Sequence, residues 1–258
     1  MVPWSKSLGR NLSPSSPLAL AAVALTGVVV GIINGMAGGA SIISYPVLLA
    51  VGLGPLSAVV TNAIGATAAN FAALRSHSTR LVTLVRDNRT LVLASVLGTA
   101  IGAAALLALP VRVLERAIPF LLLAATLTLL VPMRPHGTGL GPGRETAAIF
   151  GTGLYCGYFG PGQGVMVSAT LARDPRRSPA VLNATKNAVV GVTALVSDAA
   201  YALSGHVHWP LAAALASGAA IGGHLGGRWS ARLRPMAYRA LVFAVGAGAT
   251  VWLFATYY

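Results

Sequence analysis

Acidic residues are scarce in this chain. Asp and Glu together number 5 in 258 residues, against 18 Lys and Arg. Charged residues of both signs make up 9% of the sequence, where a soluble domain carries about 25%. That deficit excludes a soluble domain of useful size. Cysteine occurs once, as Cys156, which excludes an intrachain disulfide and a cysteine-based metal centre. No G-x-S-x-G nucleophile motif is present. The two histidines of His206-x-His208 are too few to make a metal site. The sequence therefore calls for no cofactor and no resident metal, and an intramembrane enzyme is the weakest of the function classes.

What is present is hydrophobic sequence, 55% of the chain, with a mean hydropathy of +0.75. Apolar runs separated by short basic loops read as an all-α integral membrane protein. The formal charge of +13 would point to nucleic acid on a soluble protein. Here the arginines sit between apolar runs, so the charge reads as membrane topology and not as a nucleic-acid surface. Residues 1–17 form a polar tail with Lys6 and Arg10. The apolar run that follows has no A-x-A cleavage site, so it is read as a retained first membrane helix.

The runs fall into two similar halves. Residues 18–132 form the first membrane repeat, 133–144 a Gly/Pro linker, and 145–258 the second repeat. The first half reads as spans at 18–37, 56–74, 90–109 and 113–132, with a basic loop over 75–89. The second reads as 145–159, 179–203, 209–227 and 236–257. Between the first two spans of each half lies a run too short to cross a bilayer, 41–53 and 165–172. The expectation is eight to ten membrane helices, two of them short or broken. About five segments per half is an odd number, which would make the repeats inverted.

Charge orients this plan. If the short segments return across the membrane, thirteen Lys/Arg fall on one side (Arg75, Arg80, Arg86, Arg89, Arg134, Arg144, Arg173, Arg176, Arg177, Arg228, Arg232, Arg234, Arg239). Four fall on the other: Lys6, Arg10, Arg112 and Arg116. Basic loops stay cytoplasmic, so both termini are expected to face outward, across the cell inner membrane in a bacterial setting. Lys6 and Arg10 pull the other way, and the internal loops outnumber them.

Two glycine-rich stretches stand out inside apolar sequence, 31–46 (GIINGMAGGASIISYP) and 153–164, about 122 residues apart. A helix broken in lipid exposes backbone groups that only protein or a watery cavity can satisfy. A half-helix starting near Ala40-Ser41, with Ser41 as its cap, would aim a positive dipole inward, and Gly162-Gln163-Gly164 would do so from the opposite side. Two such ends facing one cavity suit a small anion. The competing reading is close helix packing at small residues, which fits Gly98/Gly102 and Gly218/Gly222/Gly226.

The next spans carry polar stripes at helical spacing. Thr61, Asn62, Gly65, Ala66, Ala69 and Asn70 share a face in the first half; Asn183, Lys186, Asn187, Val190, Ala194 and Ser197 do so in the second. Lys186 lies about two turns inside its span, roughly 10 Å deep. A charge at such depth marks a function by default, unless its stem snorkels back to the headgroups. Asp198 is the one acid well inside a span, a candidate for proton coupling or for simple interfacial exposure. Trp209, Trp229 and Trp252 fit interfacial belts.

These residues carry a resemblance. Gly31-x-x-Asn34-Gly35-x-Ala37-Gly38-Gly39-Ala40-Ser41, Tyr45-Pro46, Gly52-Leu53-Gly54-Pro55 and Thr61-Asn62 resemble the first half of the TauE/SafE family of sulfite and organosulfonate exporters. Gly157, Gly160 to Gly164, Asn183-Ala184-Thr185-Lys186-Asn187, Gly205-x-Val207-x-Trp209 and the GGHLGG run at 222–227 are similar to its second half. Ala40 stands where the family often has a third glycine, and Pro161 interrupts the second glycine run. The resemblance implies an inner-membrane secondary transporter exporting a small sulfur-containing anion. Its partners would be that anion and the lipid bilayer, and a homodimer is compatible with the pattern. The expected anion contacts are Asn34, Gly38, Gly39, Ser41, Thr61, Asn62, Gly162, Gln163, Asn183, Lys186 and Asn187, with Asp198 for coupling. A passive anion channel would use the same residue types.

Overall fold

The computed structural model describes residues 13–36, 39–75, 81–130, 139–229 and 235–258. Gly38, Lys6, Arg10, Arg80, Arg134, Arg232, Arg234 and the first half of the linker, 133–138, lie outside the described residues. The described residues form eleven α-helices and no strand. These are α1 (Pro17–Met36), α2 (Ser41–Ala50), α3 (Pro55–Arg75), α4 (Leu81–Asp87), α5 (Arg89–Ala108), α6 (Val111–Thr128), α7 (Pro142–Tyr158), α8 (Gln163–Leu171), α9 (Pro179–Ala202), α10 (Trp209–Trp229) and α11 (Pro235–Tyr257).

Eight of these helices have 17 to 24 residues. A helix rises 1.5 Å per residue, so about 20 residues cross a hydrocarbon core. Four stretches meet both the length and the apolarity of a span: Pro17–Asn34, Arg89–Ala108, Pro179–Ala202 and Arg239–Tyr257. The short helices α2 and α8 have 10 and 9 residues, enough for only about half a crossing. Burial runs inside out relative to a soluble protein. Leu25, Leu97 and Val251 are 60–70% exposed, while Asn62, Gln163, Lys186 and Thr193 are buried. Apolar side chains facing outward and polar ones facing inward are what lipid as a solvent selects.

Three boundaries differ from the sequence reading. The segment read as a basic loop over 75–89 contains α4, because Val85 packs onto the Leu91, Val92, Ile149 and Val189 cluster and gives that turn an apolar face. The second half begins at Pro142, since proline at the first helical turn has its φ preset and no N–H to lose. Helix α6 starts at Val111, directly after Pro110, and ends at Thr128. By contrast, Ser178 followed by Pro179 starts α9 as the residue types require: the Ser178 hydroxyl accepts from the Val181 N–H at 3.3 Å.

Helices α1 with α10, and α5 with α7, pack closest. Glycine decides both contacts. A Cβ on Gly31 would overlap the Ala219 carbonyl, and one on Gly222 would overlap the Val28 carbonyl. Across the other pair, Gly153 and Gly157 of α7 sit against the Ser95 and Thr99 carbonyls of α5, and the Thr99 hydroxyl donates to the Gly153 carbonyl at 3.1 Å. Gly31, Gly153 and Gly157 were read as part of the site motifs. The structure makes them packing residues, because backbone already occupies the space where a side chain would stand.

On the arginine-rich side, Arg177 pairs with Glu145 at the start of α7, and Arg176 pairs with Asp174 at 3.0 Å. The side-chain and backbone hydrogen bonds from Arg176 hold the Asp174 carboxyl below the ordinary carboxylate value. Helices α3 and α9 pack against each other, α3 also against α10 and α9 also against α5. The two short helices begin beside this central pair.

Candidate functional site

The chain reverses into α2 and α8 at glycines. Gly39 has φ +86° and Gly162 φ +92°, a left-handed conformation that costs glycine nothing and L side chains a good deal. Each break is tied down by polar atoms. The Asn34 side-chain oxygen accepts from the Ala40 N–H at 3.1 Å. The Tyr155 hydroxyl lies 2.5 Å from the Pro161 carbonyl. Gln163, the first residue of α8, donates to the Thr193 hydroxyl of α9 at 3.2 Å. Broken backbone is thus satisfied by protein, as membrane depth demands.

Ser41 behaves differently from expectation. It opens α2 but makes no capping bond to its own helix; the N-cap is Ala40. Its hydroxyl oxygen instead accepts from the Gly162 N–H at 3.3 Å. Gly162 is the N-cap of α8, so a side chain of one short helix satisfies the N-terminal backbone of the other. The two N-termini therefore meet, and their partial positive charges add in one place.

Beside them lies a small cavity of about 60 Å³. At one end it is lined by Asn34, Gly39, Ser41, Asn62, Gln163, Gly164 and Lys186. It continues past Ala66, Thr67, Cys156, Val190, Ala194 and Ser197 to Asp198. Lys186 is only 2% exposed, so its stem does not snorkel to the surface. Its ammonium donates to the Asn34 carbonyl at 3.3 Å. Asn34 lies in the last turn of α1, where carbonyls lack helical partners and the dipole favours a cation. An ammonium has three N–H donors, and this bond uses one. The Asn62 amide oxygen accepts from the Ser44 hydroxyl, which fixes the amide where Asn62 lines the cavity.

Asp198 closes the far end, twelve residues along α9 from Lys186 and so about 18 Å away along the axis. Its Oδ1 is shut off from solvent and has no hydrogen-bond partner among the described residues. The Thr67 hydroxyl of α3 lies beside the carboxylate. The cavity thus has a cationic end and an acidic end, joined by the Val190, Ala194 and Ser197 stripe.

Of the residues expected to touch an anion, Asn34, Gly39, Ser41, Asn62, Gln163 and Lys186 line this cavity. Thr61, Gly162, Asn183 and Asn187 do not, and Gly38 lies outside the described residues. Thr61 points to α10, where its hydroxyl accepts from the His208 N–H at 3.0 Å. Gly65 of the same stripe packs on Leu215. The α3 stripe is split, one edge gripping α10 and the other, through Asn62, Ala63, Ala66 and Thr67, facing the cavity. Asn183 sits half-exposed near the start of α9, and Asn187 is buried beside the cavity with its Oδ1 unpartnered. Gly162 gives its N–H to Ser41.

The expected contacts include neither Thr67 nor Cys156. Both line the acidic half. Thr67 lies five residues after Asn62, about 140° round the helix, so the i, i+3, i+4 stripe leaves it out. Cys156 stands two turns before the second break, a place marked by glycines and not by its own chemistry. His208 serves the start of α10, its Nδ1 accepting from the Leu211 N–H at 3.4 Å.

Comparison with known proteins agrees with this architecture. A family model described as "Sulfite exporter TauE/SafE" matches residues 23–253. A "Probable membrane transporter protein" of Haemophilus influenzae is 29% identical over 226 residues, covering 81% of this chain and 84% of its own length. The "Probable membrane transporter protein YfcA" of Escherichia coli strain K12 is 25% identical over 237 residues, 85% of this chain and 83% of its own. No solved structure matches the chain. With one family model running through nearly all of its helices, the chain belongs to the TauE/SafE family of multi-pass membrane transporters.

Proposed function

We propose that the protein is a secondary transporter that exports a small sulfur-containing anion, sulfite or an organosulfonate, across the inner membrane. The observation that carries this reading is the meeting of two helix N-termini beside the buried ammonium of Lys186. Backbone N–H groups at helix ends and an ammonium form a site for an oxyanion. The Asn62 and Gln163 amides supply further donors. The sulfur chemistry comes from the description of the family model.

Alternating access fits an inverted-repeat arrangement, which the helix pairings support. In the first half α1 leans on α10, as α7 leans on α5 in the second; α2 meets α11 as α8 meets α6; α3 meets α10 as α9 meets α5. Helices α3 with α9, and α6 with α11, join the halves across the pseudo-axis. Anion export is coupled through Asp198, which faces the same cavity among Thr67 of α3, Cys156 of α7 and Lys186 of its own helix.

The test is flux in proteoliposomes with sulfite, sulfoacetate, taurine, thiosulfate and sulfate. Saturable uptake, accelerated by substrate on the opposite side, is expected for at least one sulfur anion and not for taurine, which carries no net charge at neutral pH. Flux that never saturates would mean a passive channel instead. Asp198→Asn is expected to leave exchange intact and to remove the stimulation by a pH gradient. Persistence of that stimulation would move coupling elsewhere. Ser41→Ala removes the acceptor for the Gly162 N–H; a neutral hydrogen bond is worth about 1 kcal/mol, so substrate affinity should drop roughly 5-fold in the same assay.

A further inference from the structure

Helices α6 and α7 follow each other in the chain, yet they do not lie side by side. Both pack on α8, and between them a second cavity of about 470 Å³ opens on the arginine-rich side. Its walls come from defined faces. Arg144, Ala148 and Gly151 follow the i, i+4, i+7 spacing on α7. Met166, Ala169, Thr170 and Arg173 follow i, i+3, i+4, i+7 along α8 and its exit. This face of α8 is turned roughly 120° from the one bearing Gln163 and Gly164. The groove is therefore separate from the central cavity, and α8 stands between them.

The chemistry of the groove is divided along its length. Arg144 and Arg173 sit at the mouth, both exposed. Neither pairs with an acid, although all five acids of the chain are among the described residues. Neighbouring Arg176 and Arg177, by contrast, are both paired. Deeper in, the lining turns to Met166, Ala169, Ala148 and Gly151. Gly151 is exposed, and a Cβ built on it would meet nothing within 4 Å, so the groove is open along this glycine and not tightly packed. The Thr152 and Thr170 hydroxyls donate to carbonyls of their own helices, Ile149 and Met166, which leaves the two guanidinium groups as the mouth's strong donors.

We infer that this groove is a binding site for an anionic phospholipid, its phosphodiester held by Arg144 and Arg173 and an acyl chain lying along Met166, Ala169 and Gly151. Two unpaired guanidinium groups match a phosphate oxyanion, and basic pockets between membrane helices on the arginine-rich side hold lipid headgroups. A free inorganic anion would use the mouth and gain nothing from the apolar floor, so the occupant with both parts is a lipid.

The experiment is native mass spectrometry and thermal unfolding of the detergent-purified full chain, titrated with dioleoyl-phosphatidylglycerol, dioleoyl-phosphatidylcholine or inorganic phosphate. Wild-type protein is expected to retain phosphatidylglycerol and to melt several degrees higher with it than with phosphatidylcholine. Arg144→Gln/Arg173→Gln should weaken phosphatidylglycerol binding at least 10-fold. Gly151→Leu, which fills the open floor without a clash, should weaken it while leaving both arginines and the unliganded melting temperature in place. Equal retention of both lipids, retention unaffected by either variant, or stabilisation by inorganic phosphate alone would each overturn the assignment.

Discussion

Anion flux in proteoliposomes is expected to fall roughly 10- to 150-fold when Lys186 is replaced by Gln, because a hydrogen bond to a charged group contributes about 1.5–3 kcal/mol. The choice of Gln matters. The Lys186 ammonium has a structural contact as well, donating to the Asn34 carbonyl at the end of α1. Lys186→Ala removes both the charge and that donor, and leaves a buried carbonyl unsatisfied at a cost of about 1–3 kcal/mol. Glutamine restores a donor without the charge. If the cation holds the anion, Lys186→Gln folds normally, melts near the wild-type temperature and shows that fall in flux. Wild-type flux in Lys186→Gln would reduce Lys186 to a tie between α9 and the broken end of α1. Lys186→Arg keeps the charge on a larger, planar head in a site with 2% exposure, so partial flux with altered selectivity is the expected outcome.

The second large effect is on folding. Gly31→Leu is expected to destabilise the protein by at least about 3 kcal/mol, at or beyond the upper end of ordinary overpacking. Here the neighbour is the Ala219 backbone of α10, which cannot rotate away. Gly222→Leu should match it from the opposite side, against the Val28 carbonyl. Gly248→Ala is the control: a Cβ there meets nothing within 4 Å, and alanine gains helix propensity over glycine. Thermal unfolding in detergent, with the fraction of monodisperse protein, reads all three. A Gly31→Leu protein as stable as wild type would mean that α1 and α10 can separate at little cost, and the close glycine contact would not hold the fold.

The second prediction concerns one part of a motif that the structure divides. Residues 31–46 read in sequence as a single anomaly, glycines placed where glycine is expensive. Structure assigns Gly31 to the α10 contact and Gly39 to the chain reversal, eight residues apart and with different physics. The second motif divides in the same way, Gly153 and Gly157 against α5 and Gly162 at the turn. A glycine chosen for lacking a Cβ and one chosen for a positive φ are the same letter, so no spacing rule separates them.

The sequence by itself determined the class of protein, the short helices and the buried charge. Each follows from a local quantity: hydropathy over about 20 residues, the length of an apolar run, and the depth of Lys186 within its span. It determined, through Ser178 and Pro179, where α9 begins. Tertiary structure alone decided which edge of a polar stripe faces the cavity. Thr61 and Asn62 are adjacent in sequence, yet α10 takes the first and the cavity the second. It also decided that Ser41 serves the opposite short helix and not its own, and that α6 and α7 part to leave a groove beside Arg144 and Arg173. Helical periodicity gives the angle between side chains on one helix. The partner each angle meets depends on how separate helices are docked, and the small residues that set that docking act between segments distant in the chain, Gly31 with Ala219 and Gly153 with Ser95.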